Sequence, residues 1–358
     1  MKTKIIGVIL LGVIIIVGIS YQQFFSREQA VVLKGYVGGE KLNFLENPDV
    51  QEILRNTYGI ALEITKAGSI EMVKEPPTSE IDFLWPSSQV ALELFKMNQY
   101  PLVKSEIIFN SPIVLYSWDL VTQQLQQEGF VEQEGQTFYV KEFKRLIEEI
   151  IDGKTWAEIG LDALFGKIAI TTTDPTKSNS GNMFAGLLAN VLYGDVVDVD
   201  SIQPLLPTIH QIFARLGYMP PSSHDLFQQY LTKGIGDKPI IVGYENQVVE
   251  FSLQNEKLWP RVKEKIRILY PRPTVWSSHP LIILNDRANG LIQALQDEEI
   301  QAIAWEQHGF RTGLMGVQND PEVLDIVGIP ENITQVIPMP SPAVMDQIIT
   351  VLLRGNTT

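Results

Sequence analysis

The sequence contains no cysteine among its 358 residues. This absence excludes disulfide bonds, thiolate metal sites, cysteine nucleophiles and lipid attachment through an N-terminal cysteine. Histidine is scarce too: the chain has only His210, His224, His279 and His308, with no i, i+4 pair among them and no carboxylate at ligand spacing. We therefore expect no metal site and no cofactor.

Motifs of catalysis are also missing. No serine lies in a Gly-x-Ser-x-Gly elbow, and no glycine-rich phosphate-binding loop is present. We therefore expect a protein that is not an enzyme. An extracytoplasmic hydrolase whose groups meet only in space stays open as a minor alternative.

Positive charge is in short supply. The chain has 28 Lys and Arg residues against 42 Asp and Glu, a net charge of −14 at pH 7. An acidic surface repels phosphate backbones, so nucleic acid is excluded as a partner.

Long apolar runs are limited to the N-terminus. Lys2 and Lys4 precede the run 5–19, which has no polar side chain. As a helix it spans about 22 Å, less than the roughly 30 Å of a hydrocarbon core, which is typical of a signal peptide cleaved near Gly18 and Ser20. Tyr21 and two phenylalanines could instead extend it as an uncleaved anchor over residues 1–26, the interpretation we favour. Either way, residues from 27 onward lie outside the cytoplasm.

The segment 166–193 predicts a strand, a loop and a helix. β-Branched residues favour an extended backbone up to Asp174-Pro175, and apolar residues then recur at helical spacing from Met183. Serines and an asparagine at 178–180 lie where unpaired N–H groups open the helix, and Gly181 permits close approach of a ligand. An ordinary capped turn is the alternative.

Strands and helices alternate along the chain, which predicts an α/β fold with a parallel sheet in its first part. Extended stretches at Ser111-Pro112 and at 274–284 predict two crossovers between lobes. We expect lobe 1 to comprise residues 27–112 and 275–358, lobe 2 to comprise residues 113–274, and a cleft to lie between them.

Serine-bearing loops follow three of the predicted strands. They contain Ser69, the pair Ser87 and Ser88, and the residues 178–180. Ligands of α/β folds lie at the carboxyl ends of strands, where helices begin. The three loops therefore predict a polar site in the cleft.

Nearly all of the chain after the predicted anchor resembles a known family. Thr155-Trp156-Ala157-Glu158, Gly166-Lys167-Ile168-Ala169-Ile170 and Asp174-Pro175 with Ser178, Ser180 and Gly181 resemble the second-lobe signature of bacterial extracellular solute-binding proteins, the type II periplasmic binding proteins that serve ABC transporters. The likeness continues at Tyr244-Glu245, Tyr270-Pro271, His279-Pro280-Leu281, Gln301 and Gly309-Phe310-Arg311. Within that superfamily the sulfate- and molybdate-type branch is the most similar.

The resemblance implies a receptor whose hinged lobes close on a small polar or anionic solute and deliver it to an ABC transporter permease. The strongest ligand candidates it implies are Ser69, Ser88, Ser178, Ser180 and Gly181, and the weaker ones are Gly39, Lys41 and Tyr244. Two features depart from the family: the lipid-attachment cysteine is missing, and Glu40 places an acid beside the expected anion site.

Two alternatives stay open. The same fold could serve as a membrane-anchored interaction or sensor module without transport. Separately, Trp85, Trp276, Tyr244 and Glu245 could line the cleft for a sugar or a cation, although core packing explains Trp85 equally well.

Overall fold

The computed structural model describes residues 30–314 and 319–355. The predicted anchor or signal segment, residues 1–26, lies outside the described residues. Within the described part of the chain, every helix is too short or too polar to cross a membrane.

The strands are as follows: β1 Val31–Val37, β2 Ile60–Lys66, β3 Phe83–Trp85, β4 Lys104–Trp118, β5 Val131–Glu134, β6 Thr137–Val140, β7 Ile240–Tyr244, β8 Ile266–Pro271, β9 Trp276–Ile283 and β10 Arg311–Thr312. The helices are α1 Leu42–Leu45, α2 Pro48–Asn56, α3 Glu71–Lys74, α4 Gln89–Met97, α5 Asp119–Gln127, α6 Phe143–Asp152, α7 Asn179–Tyr193, α8 Leu206–Ala214, α9 Ser223–Lys233, α10 Asn246–Gln254, α11 Trp259–Val262, α12 Asn289–Leu295, α13 Glu298–His308 and α14 Pro342–Gly355.

The strands form one mixed sheet in the order β2-β1-β3-β9-β4-β8-β6-β5, with β7 and β10 pairing on β4. Strands β2, β1 and β3 are parallel, as expected for consecutive βα units, whereas β9 and β4 run antiparallel to their neighbours. The sheet is therefore parallel at its first edge and again where β6 pairs with β8.

Strand β4 joins the two parts of the sheet. Its residues up to Pro112 pair with β9, and from Ile113 onward it pairs with β7 and β8. The change falls at Ser111-Pro112, where a crossover was expected, because proline has no N–H to donate to a ladder. The corresponding position between β8 and β9 is Thr274. Its N–H donates to the Gln335 carbonyl, and its own carbonyl accepts from the Ile337 N–H.

Two large apolar cores lie on either side of this change. Under the first part of the sheet, Leu33, Phe83 and Leu281 pack on Leu291 of α12. Under the second part, α5 to α8 build a larger core. Helix α14 packs there too, through Val344 and Ile348, although the predicted boundaries assign it to lobe 1. The division at residues 113 and 274 stays a prediction.

Most local signals gave the expected elements. Asn47 caps α2 by accepting from the Asp49 N–H at 2.9 Å, and Thr155 with Glu158 forms the expected capping box. The predicted strand before Asp174 is wrong as a regular strand, because the segment forms only two isolated bridges, from Lys167 to Thr155 and from Thr171 to Ile241 of β7. The apolar spacing predicts one long helix over 291–307, but the structure has two, α12 and α13, since Asp297 caps α13 and so starts a new helix.

Candidate functional site

A cavity of about 550 Å³ lies where loops from both parts of the sheet meet. One wall comprises Gly38 to Glu40 after β1 and Lys66 to Ser69 after β2. The other comprises the start of α7, the start of α9, and Tyr244 with the first turn of α10. A volume of this size suits a small molecule, and helix starts and strand ends supply its polar groups.

Four of the eight ligand candidates line this cavity. They are Gly39, Ser69, Ser178 and Tyr244. Ser69 is buried, and its Oγ accepts from the Ser87 N–H at 2.9 Å, so it braces the loop after β3 as well.

The other four candidates lie behind the cavity wall. Ser88 precedes α4 and is buried, and its Oγ lacks a hydrogen-bond partner among the described residues. Ser180 is 1% exposed and bonds to Thr173 Oγ1 at 2.8 Å. A Cβ on Gly181 would meet the Thr173 carbonyl group, with its carbon only 2.9 Å away. These two residues therefore pack α7 on the preceding segment.

Lys41, the fourth, is 0% exposed and belongs to a network beneath the cavity. Its Nζ contacts the Glu40 carboxylate, donates to Ser87 Oγ at 2.7 Å and lies 3.2 Å from His279 Nδ1. It also lies 5.5 Å from the centre of the Trp85 ring. Its partner is thus the neighbouring carboxylate, and it does not reach the cavity as a free cation.

The network fixes the charges of its members. Burial alone would raise the pKa of Glu40, but the charge of Lys41, with contributions from His279 and Ser87, outweighs it and lowers the pKa to about 2. Burial, reinforced by the charge of Lys41, holds the pKa of His279 well below its usual value. Glu40 is therefore ionised and His279 neutral at pH 7.

Asn179 connects the two walls. Its Nδ2 donates to the Ser87 carbonyl at 2.8 Å and to the Tyr244 hydroxyl at 3.0 Å. Ser277 Oγ donates to the same Ser87 carbonyl at 2.7 Å. Burial raises the pKa of Tyr244, and the charge of Glu40 raises it further, so the phenol stays protonated. Asn179 thus holds the start of α7 against the loop after β3.

Three of the residues that carry the family resemblance, Glu245, Tyr270 and Arg311, meet at a second buried cluster. Glu245, at the end of β7, accepts from Arg311 Nε at 2.6 Å and from the Tyr270 hydroxyl at 2.6 Å. Arg311 also donates to the carbonyls of Pro330 and Glu331. Glu245 is 0% exposed, so it holds the core together and is not a cleft residue. Trp85 is likewise buried in the core, against Phe44 and Phe109.

Several residues that line the cavity are not among the candidates predicted from the sequence. Asn246 and Gln247 open α10, Glu250 follows one turn later, and Ser222 and Ser223 open α9. The one available signal was position, because Asn246 directly follows a buried strand that ends in Tyr244-Glu245.

A second cavity of about 470 Å³ lies on the other side of Ser69, Ser178 and Asn179. Its walls include Val90 and Leu94 of α4 and Met345 and Ile349 of α14. The three polar residues therefore separate a polar cavity from a more apolar one.

No family model matches the chain, and no curated protein is significantly similar to it in sequence. Solved structures do match. A protein described as an extracellular solute-binding protein of Bordetella parapertussis is 12% identical with a TM-score of 0.59, over 90% of this chain and 97% of its own. Iron-bound HitA of Pseudomonas aeruginosa is 13% identical with a TM-score of 0.59, over 91% and 99% of the two chains. The sulfate-binding protein SubI of Mycobacterium tuberculosis is 15% identical with a TM-score of 0.50, over 90% and 95%.

The first and third of these proteins are described as binding proteins, and the second is described as iron-bound. At such low identity they establish the fold and leave the ligand open. The chain therefore has the fold of these extracellular and sulfate-binding proteins, which agrees with the fold that the resemblance predicted.

Proposed function

We propose that the protein is an extracytoplasmic solute-binding protein whose two lobes close on a small polar solute in the 550 Å³ cavity. The observation that carries this proposal is the composition of the cavity walls. Both parts of the sheet contribute polar groups to one space, with Ser69 on one side and Ser178 and Tyr244 on the other. A shared guest would then stabilise the closed arrangement.

The contact of Asn179 with the Ser87 carbonyl supports a hinged closure. It joins the opening of α7, expected in lobe 2, to a loop expected in lobe 1. Residues 112–113 and 274–275 are the proposed hinge, because the backbone changes its pairing partner there. A hinge needs only a few such residues to absorb the motion.

We also propose that the N-terminal segment places the protein on the outer face of the membrane, either anchored or exported, and that its partner is an ABC transporter permease. The support is the sequence pattern of residues 1–26, together with the fold shared with ABC transporter proteins. Mass measurement of the protein purified from membranes would distinguish a retained segment from a cleaved one.

A solute screen tests the binding function. We expect at least one member of a panel of amines, amino acids, sugars and oxyanions to raise the melting temperature and to reduce the radius of gyration in X-ray scattering. Ser69→Ala should lower that affinity, whereas Ser201→Ala, at a half-buried serine outside the cavity lining, should leave it unchanged. If no solute of any class changes stability or size, the binding function is wrong, and a stable protein partner captured with an empty cleft would point to the interaction module.

A further inference from the structure

The loop after β1 brings a carboxylate to the point where anion-binding donors would otherwise converge. Glu40 Oε1 accepts from Ser87 Oγ and contacts Lys41 Nζ, and it lies 3.7 Å from His279 Nδ1. An oxyanion placed among a serine hydroxyl, an ammonium and an imidazole would make the same contacts. The protein thus supplies its own anion at this position.

The arrangement of the pair gives the cavity a negative end. Lys41 is 0% exposed and lies beneath, whereas the Glu40 side chain is 19% exposed and lines the cavity. Among the described residues, no donor bonds to Glu40 Oε2, and this oxygen is not buried. A solute in the cavity therefore meets the carboxylate before the ammonium.

Glycine makes this conformation accessible. A Cβ on Gly38 would lie 2.6 Å from Ser87 Oγ and would also collide with both Glu40 oxygens. Only a residue without a side chain lets the carboxylate fold back over position 38.

The other charged residues that line the cavity are also mostly acidic. Glu71, Asp225 and Glu250 also line it, against Lys66 and Lys177. Lys177 is already paired with Asp174 at 3.2 Å, and Glu250 is paired with His308 Nδ1 at 3.0 Å. Glu40, Glu71 and Asp225 then remain against Lys66. The field inside the cavity therefore favours a cation.

An amide oxygen on the opposite wall also lacks a hydrogen-bond partner and can accept from a ligand that carries N–H groups. Asn246 is 1% exposed and lines the cavity, and its Oδ1 lacks a partner among the described residues. The Oδ1 of Asn179 is likewise unpaired, and its orientation is fixed because Nδ2 donates to the Ser87 carbonyl. Buried acceptors of this kind are satisfied by a ligand that brings N–H groups.

We propose that Glu40 occupies the anion position of the cleft and makes the protein select a small solute that carries an ammonium group over free oxyanions. This rests on the proposed binding function. It replaces the anionic ligand expected from the sequence with a cationic one. Glu40 is then a specificity-determining residue, with its carboxylate accepting from the ligand, and Lys41 is its fixed counter-ion.

Isothermal calorimetry on the full chain tests this with putrescine, sulfate and inorganic phosphate as probes. We expect the wild type to bind putrescine and to show no heat with either oxyanion. Glu40→Gln should weaken putrescine binding roughly tenfold to hundredfold, because a charged hydrogen bond is lost. Glu106→Gln is the matched control, since it removes an equal charge from an exposed position on β4 and should leave the affinity unchanged.

Glu40→Gln leaves a buried lysine without its carboxylate, so Glu40→Gln with Lys41→Met provides a second, uncharged variant in case the first fails to fold. Sulfate binding by the wild type that Glu40→Gln does not alter would overturn the inference and leave the binding function intact. Binding of a sugar alone would have the same meaning. Absence of binding by any solute class would overturn both.

Discussion

Two carboxylates, Glu40 and Glu245, each follow the end of a strand and each pair with a basic residue, yet their surroundings differ. Glu245 is sealed in the core, where Arg311 and Tyr270 bond to both of its oxygens. Glu40 is bonded through Oε1 only, and its other oxygen opens to the cavity.

The difference indicates how to separate a structural ion pair from one that faces a ligand. A saturated buried pair has no capacity left for a guest, and its loss leaves an uncompensated charge. A pair with one open oxygen can accept a further donor, and cavity water can solvate it when its partner is removed. Burial of the basic residue alone does not distinguish them, since Lys41 and Arg311 are both buried.

The largest expected effect is on the sealed pair. Arg311→Met should destabilise the protein by about 3 to 5 kcal/mol, because it leaves Glu245 charged and buried. Urea unfolding monitored by tryptophan fluorescence measures this. The matched change, Lys41→Met, should cost no more than about half as much, since Glu40 reaches the cavity.

Replacing both members, as Glu245→Gln with Arg311→Met, should recover a large part of the lost stability, because this cluster then contains no buried charge. Equal costs for Arg311→Met and Lys41→Met would contradict the distinction between the two pairs.

The second largest effect is expected when acid protonates Glu40, the carboxylate whose partner is Lys41. The pKa of Glu40 is lowered from 4.5 to about 2, so its contribution is complete above pH 4.5 and is lost as the pH falls towards 2. One pKa unit corresponds to about 1.4 kcal/mol, so this contribution is at most about 3 kcal/mol. Unfolding free energies of the wild type and of Glu40→Gln with Lys41→Met, measured from pH 6 to pH 2, should converge in this range. Parallel curves would show that the pair does not titrate as expected.

A smaller effect is expected from the glycine that lets Glu40 fold back. Gly38→Ala should cost about 1 to 3 kcal/mol, because its Cβ would lie 2.6 Å from Ser87 Oγ and displace the carboxylate. Gly68→Ala is the control in the neighbouring loop on the same wall, since its Cβ would lie no closer than 3.4 Å to any atom, at the Glu71 side chain. Unfolding midpoints of the two variants should therefore differ, and similar midpoints would show that the Glu40 conformation is not restricted.

Much of the fold was accessible from the sequence because its signals are local. Asn47-Pro48 starts α2, and Ser341-Pro342 starts α14, since caps and prolines act on adjacent backbone. The extended run before Asp174 did not become a strand, because a strand needs a partner along its length and here only isolated bridges form, from Lys167 to Thr155 and from Thr171 to Ile241. Pairing of this kind is decided by the tertiary structure.

The site was harder to predict because a motif does not say which way a side chain points. The sequence shows Glu40 as an acid beside the expected anion site, but the turn that brings its carboxylate over Gly38 is visible only in three dimensions. Asn246 belongs to no motif, and only its position after β7 brings it to the cavity.

Two serines that the sequence treats alike provide the finest test of which groups face the guest. The two hydroxyls lie 3.1 Å apart, but Ser178 lines the cavity, whereas Ser180 is buried and also bonds to Thr173 Oγ1 at 2.8 Å. Ser180→Ala should therefore lower stability by about 1 kcal/mol and leave ligand affinity unchanged, because it removes a buried hydrogen bond. Ser178→Ala should weaken ligand binding by a similar free energy, about 1 kcal/mol, with little effect on stability. Thermal unfolding and calorimetry on both variants would reveal the two effects separately, and an affinity loss confined to Ser180→Ala would place the guest behind α7 instead of in front of it.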